Sequence, residues 1–367
     1  MTSSPTSTRA SPPLRQRRRP PPDMPTQSTS VERILGFVTE SGHTFGTVEV
    51  AYETFGTLNA DHSNAVLIEH ALTGDTHVTE WWAGVVGPGE AIDTNEFFVV
   101  CANSLGGCSG TTGPQSLYDD GLPYGSRFPA VTIRDMVRLE HHLTQILGIE
   151  SWHAVIGGSM GGARALEFGL LDRHKVKKCA VIAAPAFCEA DQIAWAMMQE
   201  RAIELDSDYY SGDYTAVGRF PSQGLGLARQ IAHLTYRNDA ELNQRFSRRL
   251  RSPDYYEVTS YLDHQAKKLT ARFDPHSYVV LTRALRDHDV RVGRSHDLTT
   301  ALAEGCTDNL VVSVSSDRLF PPTQVELLAQ NLPGAVTHDV IESDVGHDGF
   351  LTETAAISAA LESFLHA

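Results

Sequence analysis

Two periods alternate along the chain. Phe45–Thr54 is β-branched and partly alternating, the pattern of a half-buried antiparallel strand. Ala65–Glu69 and Phe97–Ala102 are short, nearly continuous apolar runs bounded by loop residues, which predicts central strands. Thr132–Leu147 places Ile133, Met136, Val137, Leu143, Ile146 and Leu147 on one helical stripe, and Gly148 supplies its stop. Another apolar strand, Trp152–Ile156, runs through Gly157-Gly158-Ser159-Met160-Gly161-Gly162 straight into the helical stretch Ala163–Leu171. Val176–Ala183, Leu310–Ser315 and Val336–Ile341 complete the strands, with helices near Pro322–Asn331 and Thr354–Leu365. Repeated alternation of strand and helix predicts an α/β protein with a mostly parallel, doubly wound sheet.

The alternation stops between Ala186 and Thr300. This stretch is helical in pattern, rich in Arg and Tyr, and lacks a buried strand. It predicts an inserted helical cap, or lid, over residues 186–300, seated on the edge of the sheet where ligands bind in open α/β folds. Residues 31–185 and 301–367 then form the core. A helical layer that only thickens the core fits less well, because polar residues are too frequent at 206–213 and 233–238.

Residues 1–30 read differently again, as an Arg- and Pro-rich tail with five Arg against a single acid, Asp23, and few apolar residues. Such a segment buries too little surface to offset its chain entropy, which predicts disorder. It lacks the apolar centre of a secretory signal, although its basic, Ser-rich character overlaps with transit peptides. Met24 could itself start a chain whose ordered part begins near Val31.

Composition removes whole classes of function. The formal charge is −15, with 30 Lys and Arg against 45 Asp and Glu, so a polyphosphate strand is repelled and nucleic acid is not an expected partner. No run reaches the roughly 18 apolar residues of a membrane span. The five Cys form an odd set without CxxC spacing, which fits a reduced, cytoplasmic setting. No His, Cys and Asp spacing suggests a metal site.

The chemistry concentrates at the turn after Trp152–Ile156. Gly157-Gly158-Ser159-Met160-Gly161 matches the G-x-S-x-G nucleophile elbow, and it has the required strand before it and helix after it. A serine needs a base, and the base needs an orienting acid; in this architecture the chain order is Ser, then Asp or Glu, then His. Asp317 follows the strand Leu310–Ser315 directly. Asp308, Asp339 and Asp344 are rival acids, lying before their strand or on or just after the last one. His347 follows the last strand inside Val345-Gly346-His347-Asp348-Gly349-Phe350, whose glycines suit a tight loop with an exposed imidazole. The oxyanion calls for two backbone donors: Met160, after the nucleophile, and Leu72, in the loop after Ala65–Glu69. His70 is expected to hold that loop by hydrogen bonding. Cys108, in the Gly- and Ser-rich loop Asn103–Pro114, lacks an elbow of its own and is expected to pack.

Several strings together carry a more specific likeness: Ile68-Glu69-His70-Ala71-Leu72-Thr73-Gly74-Asp75, Leu105-Gly106-Gly107-Cys108 with Thr112-Gly113-Pro114, Arg127-Phe128-Pro129 through Ile133-Arg134-Asp135, Gly157–Arg164, His233–Arg237, Tyr261–Asp274 and Gly346–Leu351. In this order and spacing, over residues 32–366, the chain resembles the homoserine O-acetyltransferases of the α/β-hydrolase superfamily. The resemblance implies acetyl transfer from acetyl-CoA, a co-substrate rather than a bound cofactor, to the hydroxyl of L-homoserine, the entry to methionine synthesis. It implies a ping-pong route with Ser159, Asp317 and His347 as nucleophile, acid and base. It places the family's substrate arginine on Arg219 and the residue that meets the substrate ammonium on Asp348. For Arg219 the competing expectation is a surface ion pair. A homodimer through the cap helices is also implied. Ser104, Ser109 and Gln115 depart from the family pattern near the Gly-rich loop, which bears on donor and acceptor preference. A homoserine succinyltransferase, a serine acetyltransferase, a carboxylester hydrolase and a non-catalytic binding module on the same scaffold are the rival readings.

Overall fold

The computed structural model describes residues 29–367. The expected tail lies outside the described residues up to position 28, but its boundary moves: Ser30 already opens a strand.

Eight strands form one sheet: β1 (Ser30–Val38), β2 (Thr44–Phe55), β3 (Ala65–Glu69), β4 (Phe98–Ala102), β5 (Trp152–Gly158), β6 (Val176–Ile182), β7 (Asp308–Val314) and β8 (Ala335–Ile341). Their spatial order is β1-β2-β4-β3-β5-β6-β7-β8. The strands from β4 to β8 pair in parallel, and β1 and β2 add an antiparallel edge. β3, β5 and β6 are buried almost throughout, as expected of strands covered on both faces. The sequence pattern missed β1. Gly36 adopts φ +67 and breaks the period of two, so Ile34 and Phe37 both turn inward while Leu35 is exposed.

Four helices flank the sheet: α1 (Ile133–Ile146), α2 (Met160–Leu171), and, late in the chain, Pro322–Asn331 and Thr354–His366. α1 begins with a capping box in which the Thr132 hydroxyl accepts from the Asp135 amide and the Asp135 carboxylate accepts from the Thr132 amide. Between β6 and β7 the chain is helical, with α3 (Ala190–Glu204), α4 (Ser222–Tyr236), α5 (Asp239–Phe246), α6 (Glu257–Thr270) and α7 (Pro275–Arg286), and it carries one short, exposed two-stranded ribbon at Leu250–Ser252 and Tyr255–Tyr256. The C-terminal end of α4 lies on the loop after β8: the Tyr236 carbonyl accepts from the Asp348 amide at 3.3 Å, and the Asn238 amide donates to the Val345 carbonyl at 3.1 Å. The helical insertion therefore reaches the loop that holds the expected base.

Candidate active site

The serine of the elbow is set by backbone strain. Ser159, between β5 and α2, has φ 58 and ψ −123, a conformation L residues rarely adopt. What forces it is the close approach of neighbouring chain. A Cβ on Gly161 would stand 2.0 Å from the Glu69 carbonyl oxygen, and one on Gly157 would stand 2.0 Å from the Gly161 carbonyl oxygen. Only hydrogen fits at both positions, and the turn between them lifts Ser159 to the mouth of the sheet.

His347 Nε2 lies 2.9 Å from Ser159 Oγ, and His347 Nδ1 lies 2.7 Å from Asp317 Oδ2. Asp317 is fixed in turn, since its Oδ1 accepts from the Leu319 amide at 2.8 Å and the Phe320 amide at 3.0 Å. The structure thus brings together the serine, acid and base read from the sequence. The imidazole is not exposed, as its flanking glycines suggested, but is buried among the rings of Tyr236, Phe320 and Phe350. Gly346 explains this: with φ +93, the loop presses so close to α4 that a Cβ there would meet the Tyr236 carbonyl at 2.7 Å. Burial by itself would push the His347 pKa down, but the Asp317 carboxylate, by charge and hydrogen bond, and Asp348 hold it above the ordinary histidine value.

Met160 is the first residue of α2, and its amide is one of the donors a helix start leaves without a partner inside the helix. Leu72 sits in the loop after β3, which is held as expected by His70. The Ser104 amide donates to His70 Nε2 at 3.1 Å, so Nδ1 carries the proton and donates to the Ala71 carbonyl at 2.8 Å. Burial drives the His70 pKa down to about 3, so the ring stays neutral.

Beneath the elbow lies an ion cluster that sequence reasoning did not single out. Arg164 of α2 is fully buried, 2.5 Å from Glu69 at the end of β3 and in contact with Glu140 of α1. One guanidinium faces two carboxylates, and burial pushes the Glu69 pKa well up against the pull of Arg164. The cluster ties α2, which follows Ser159, to the strand that precedes Leu72. Cys108 packs rather than reacts: burial raises its thiol to about 11, and its sulfur accepts from the Asp274 amide at 3.4 Å.

A family model described as the alpha/beta hydrolase fold matches residues 64–354. A homoserine O-acetyltransferase of Thermobifida fusca is 48% identical over 343 residues, covering 89% of this chain and 90% of that protein. The chain belongs to the homoserine O-acetyltransferase family. Among solved structures, a homoserine O-acetyltransferase from Bacillus anthracis superimposes with a TM-score of 0.87 at 25% identity, over 94% of this chain and 99% of that one. The esterase E22 superimposes with a TM-score of 0.85 at 26% identity, over 92% and 99%. The chain is accordingly an O-acyltransferase with the α/β-hydrolase fold.

Membership in the homoserine O-acetyltransferase family makes the placement of the two expected substrate residues decisive, and one of them needs correction. Arg219 has a side chain 58% exposed that faces Asp208 at 3.8 Å, and it is not among the charges acting on His347 or Asp348. It is the surface ion pair that was its alternative. The arginine at the site is Arg229. On α4, Arg229, His233 and Tyr236 follow the i, i+4, i+7 spacing of one helix face. The Arg229 guanidinium lies over the Tyr236 ring, and its Nε is buried without an acceptor. No carboxylate among the described residues forms an ion pair with it. Asp348, expected from the resemblance, is at the site: burial raises its carboxyl, while His347, Arg229 and Arg237 pull the other way. A cation without an ion-pair partner and a carboxylate thus stand together beside His347. The helical period of α4 is the sequence signal that could have pointed to Arg229, since residues three and four apart share a face with the His233–Arg237 string. Among the described residues, no group of His, Cys, Asp and Glu is arranged to hold a metal.

Proposed function

We propose that this protein transfers an acetyl group from acetyl-CoA to the side-chain hydroxyl of L-homoserine by way of an acetyl-Ser159 intermediate. His347 Nε2 takes the proton of Ser159 Oγ as the oxygen adds to the thioester carbonyl. The Leu72 and Met160 amides stabilise the oxyanion. Collapse expels the thiolate of coenzyme A, which leaves as the thiol with the proton from His347. The homoserine hydroxyl then gives its proton to His347 and attacks the acetyl-serine; collapse returns that proton to Ser159. Asp317 keeps the imidazole oriented and balances its charge in both halves.

The observation that carries this reading is that Arg229 and Asp348 stand together, without an ion pair between them, next to Ser159, His347 and Asp317. A zwitterionic amino acid offers the carboxylate that Arg229 lacks and an ammonium for Asp348, and holding both ends places its hydroxyl in near-attack geometry. An esterase has no such use for the pair. Ester hydrolysis is the second reading, favoured by the likeness to esterase E22. The test is a panel of acetyl-CoA and succinyl-CoA with homoserine and serine. Fast mixing with acetyl-CoA should give a burst of free thiol that Ser159→Ala abolishes. Turnover without homoserine as fast as turnover with it would overturn the transferase reading in favour of the hydrolase.

The setting we propose is methionine biosynthesis in the cytoplasm, and no described helix is long and apolar enough to cross a membrane. The proposed assembly is a homodimer through the cap helices. Ile193, Met197 and Met198 on α3 and Leu227 and Leu234 on α4 are exposed apolar residues suited to that role.

A further inference from the structure

Beside the catalytic histidine, a narrow seam of about 40 Å³ is lined by Leu72, Trp195, Gln199, Tyr236, Thr282 and Phe320. Tyr236 and Phe320 are rings packed on His347, at 5.7 and 5.4 Å, and Leu72 carries one of the expected oxyanion amides, so the seam adjoins the reacting centre. Its walls are mostly carbon, and their polar atoms are nearly all engaged. Gln199 accepts from the Tyr278 hydroxyl at 2.6 Å and donates to the Trp195 carbonyl at 3.2 Å. Thr282 is the exception. It is buried on α7, and its hydroxyl has no partner. A helical threonine usually returns its hydroxyl to a carbonyl one turn back, and this one does not.

A buried, unpaired hydroxyl is costly unless something that binds there supplies the missing partner. A seam this narrow takes an extended chain rather than a ring, and its apolar walls suit methylenes. The thioester donor meets both conditions. With its carbonyl between the Leu72 and Met160 amides, its sulfur is followed by two methylenes and then an amide. We propose that the seam holds this amide-bearing arm of the acyl donor and that Thr282 Oγ1 hydrogen-bonds its first amide. The inference rests on acetyl-CoA being the donor, as set out above.

The test compares wild type, Thr282→Val and Thr282→Ser in the acylation of Ser159 by three donors: acetyl-CoA, S-acetyl-N-acetylcysteamine, which keeps the amide on a short arm, and 4-nitrophenyl acetate, which has none. Valine keeps the shape and removes the hydroxyl. The expected result is a kcat/KM loss in Thr282→Val that is about tenfold larger for the two amide-bearing thioesters than for the nitrophenyl ester, the worth of one hydrogen bond. Thr282→Ser retains donor use, the thermal midpoint of Thr282→Val does not fall, and the KM for homoserine is unmoved. Equal effects on all three donors, no effect on any, or a rise in homoserine KM instead would overturn the assignment. If the wild type is acylated by the nitrophenyl ester and not by acetyl-CoA, the donor reading fails first, which is a distinguishable result.

Discussion

The guanidinium of Arg229 stands over the ring of Tyr236, 5.4 Å from its centroid, and that ring also packs on His347 at 5.7 Å. The stack fixes a cation one aromatic ring away from the base. Arg229→Ala is expected to raise the KM for homoserine by about a hundredfold, the scale of a lost charge-assisted pair, and to leave the thiol burst from acetyl-CoA close to wild type. Arg219→Ala should change neither. Steady-state kinetics with varied acceptor decide between them: a larger acceptor defect in Arg219→Ala would return the role to that residue.

His347 acts as a base only when neutral, and its pKa is held above the ordinary value by Asp317 and Asp348. The acid limb of kcat/KM should therefore lie above the free histidine value of about 6.5. Asp317→Asn removes the main charge that opposes burial, so the limb should move down in pH while the rate drops by about ten-thousandfold from loss of orientation. A pH–rate profile of both proteins checks this, and an unmoved limb would contradict it.

Arg164→Met leaves Glu69 and Glu140 buried without their cation, a change expected to cost about 3–5 kcal/mol of stability. Adding Glu69→Gln and Glu140→Gln should recover much of it, because the remaining polar groups no longer carry charge. Denaturant melts of the single and triple variants measure the difference.

Gly161→Ala forces a Cβ toward the Glu69 carbonyl, which must move, and the loop holding Leu72 begins at the next residue. The expected signature is a fall in kcat of about a hundredfold or more, since misplacing an oxyanion donor acts on the transition state, with the homoserine KM little changed. An alanine variant with full kcat would show that the elbow tolerates the shift.

Legibility differed between local and distant features. The meeting of Ser159, Asp317 and His347 was readable because each lies in the loop or turn that follows a strand of the sheet, in the chain order this architecture expects. The edge strand β1 was not readable because Gly36 breaks its alternation. The buried state of His347 was hidden as well: its own glycines predict a loop, but the rings that cover it come from α4, from the turn after β7 and from the residue three places on.

The amino-acid order by itself determined the α/β alternation, the strained turn at Ser159 and the succession of Ser159, Asp317 and His347 after their strands, because these depend on periodicity and on residues adjacent in the chain. Only the tertiary structure decided which arginine stands beside Asp348, which carboxylates surround Arg164 and which hydroxyl is left without a partner. Those depend on what another element brings within a few ångströms. Arg219 and Arg229 are both arginines of one helical insertion; a turn sends the first to solvent beside Asp208, and the face of α4 sends the second onto Tyr236.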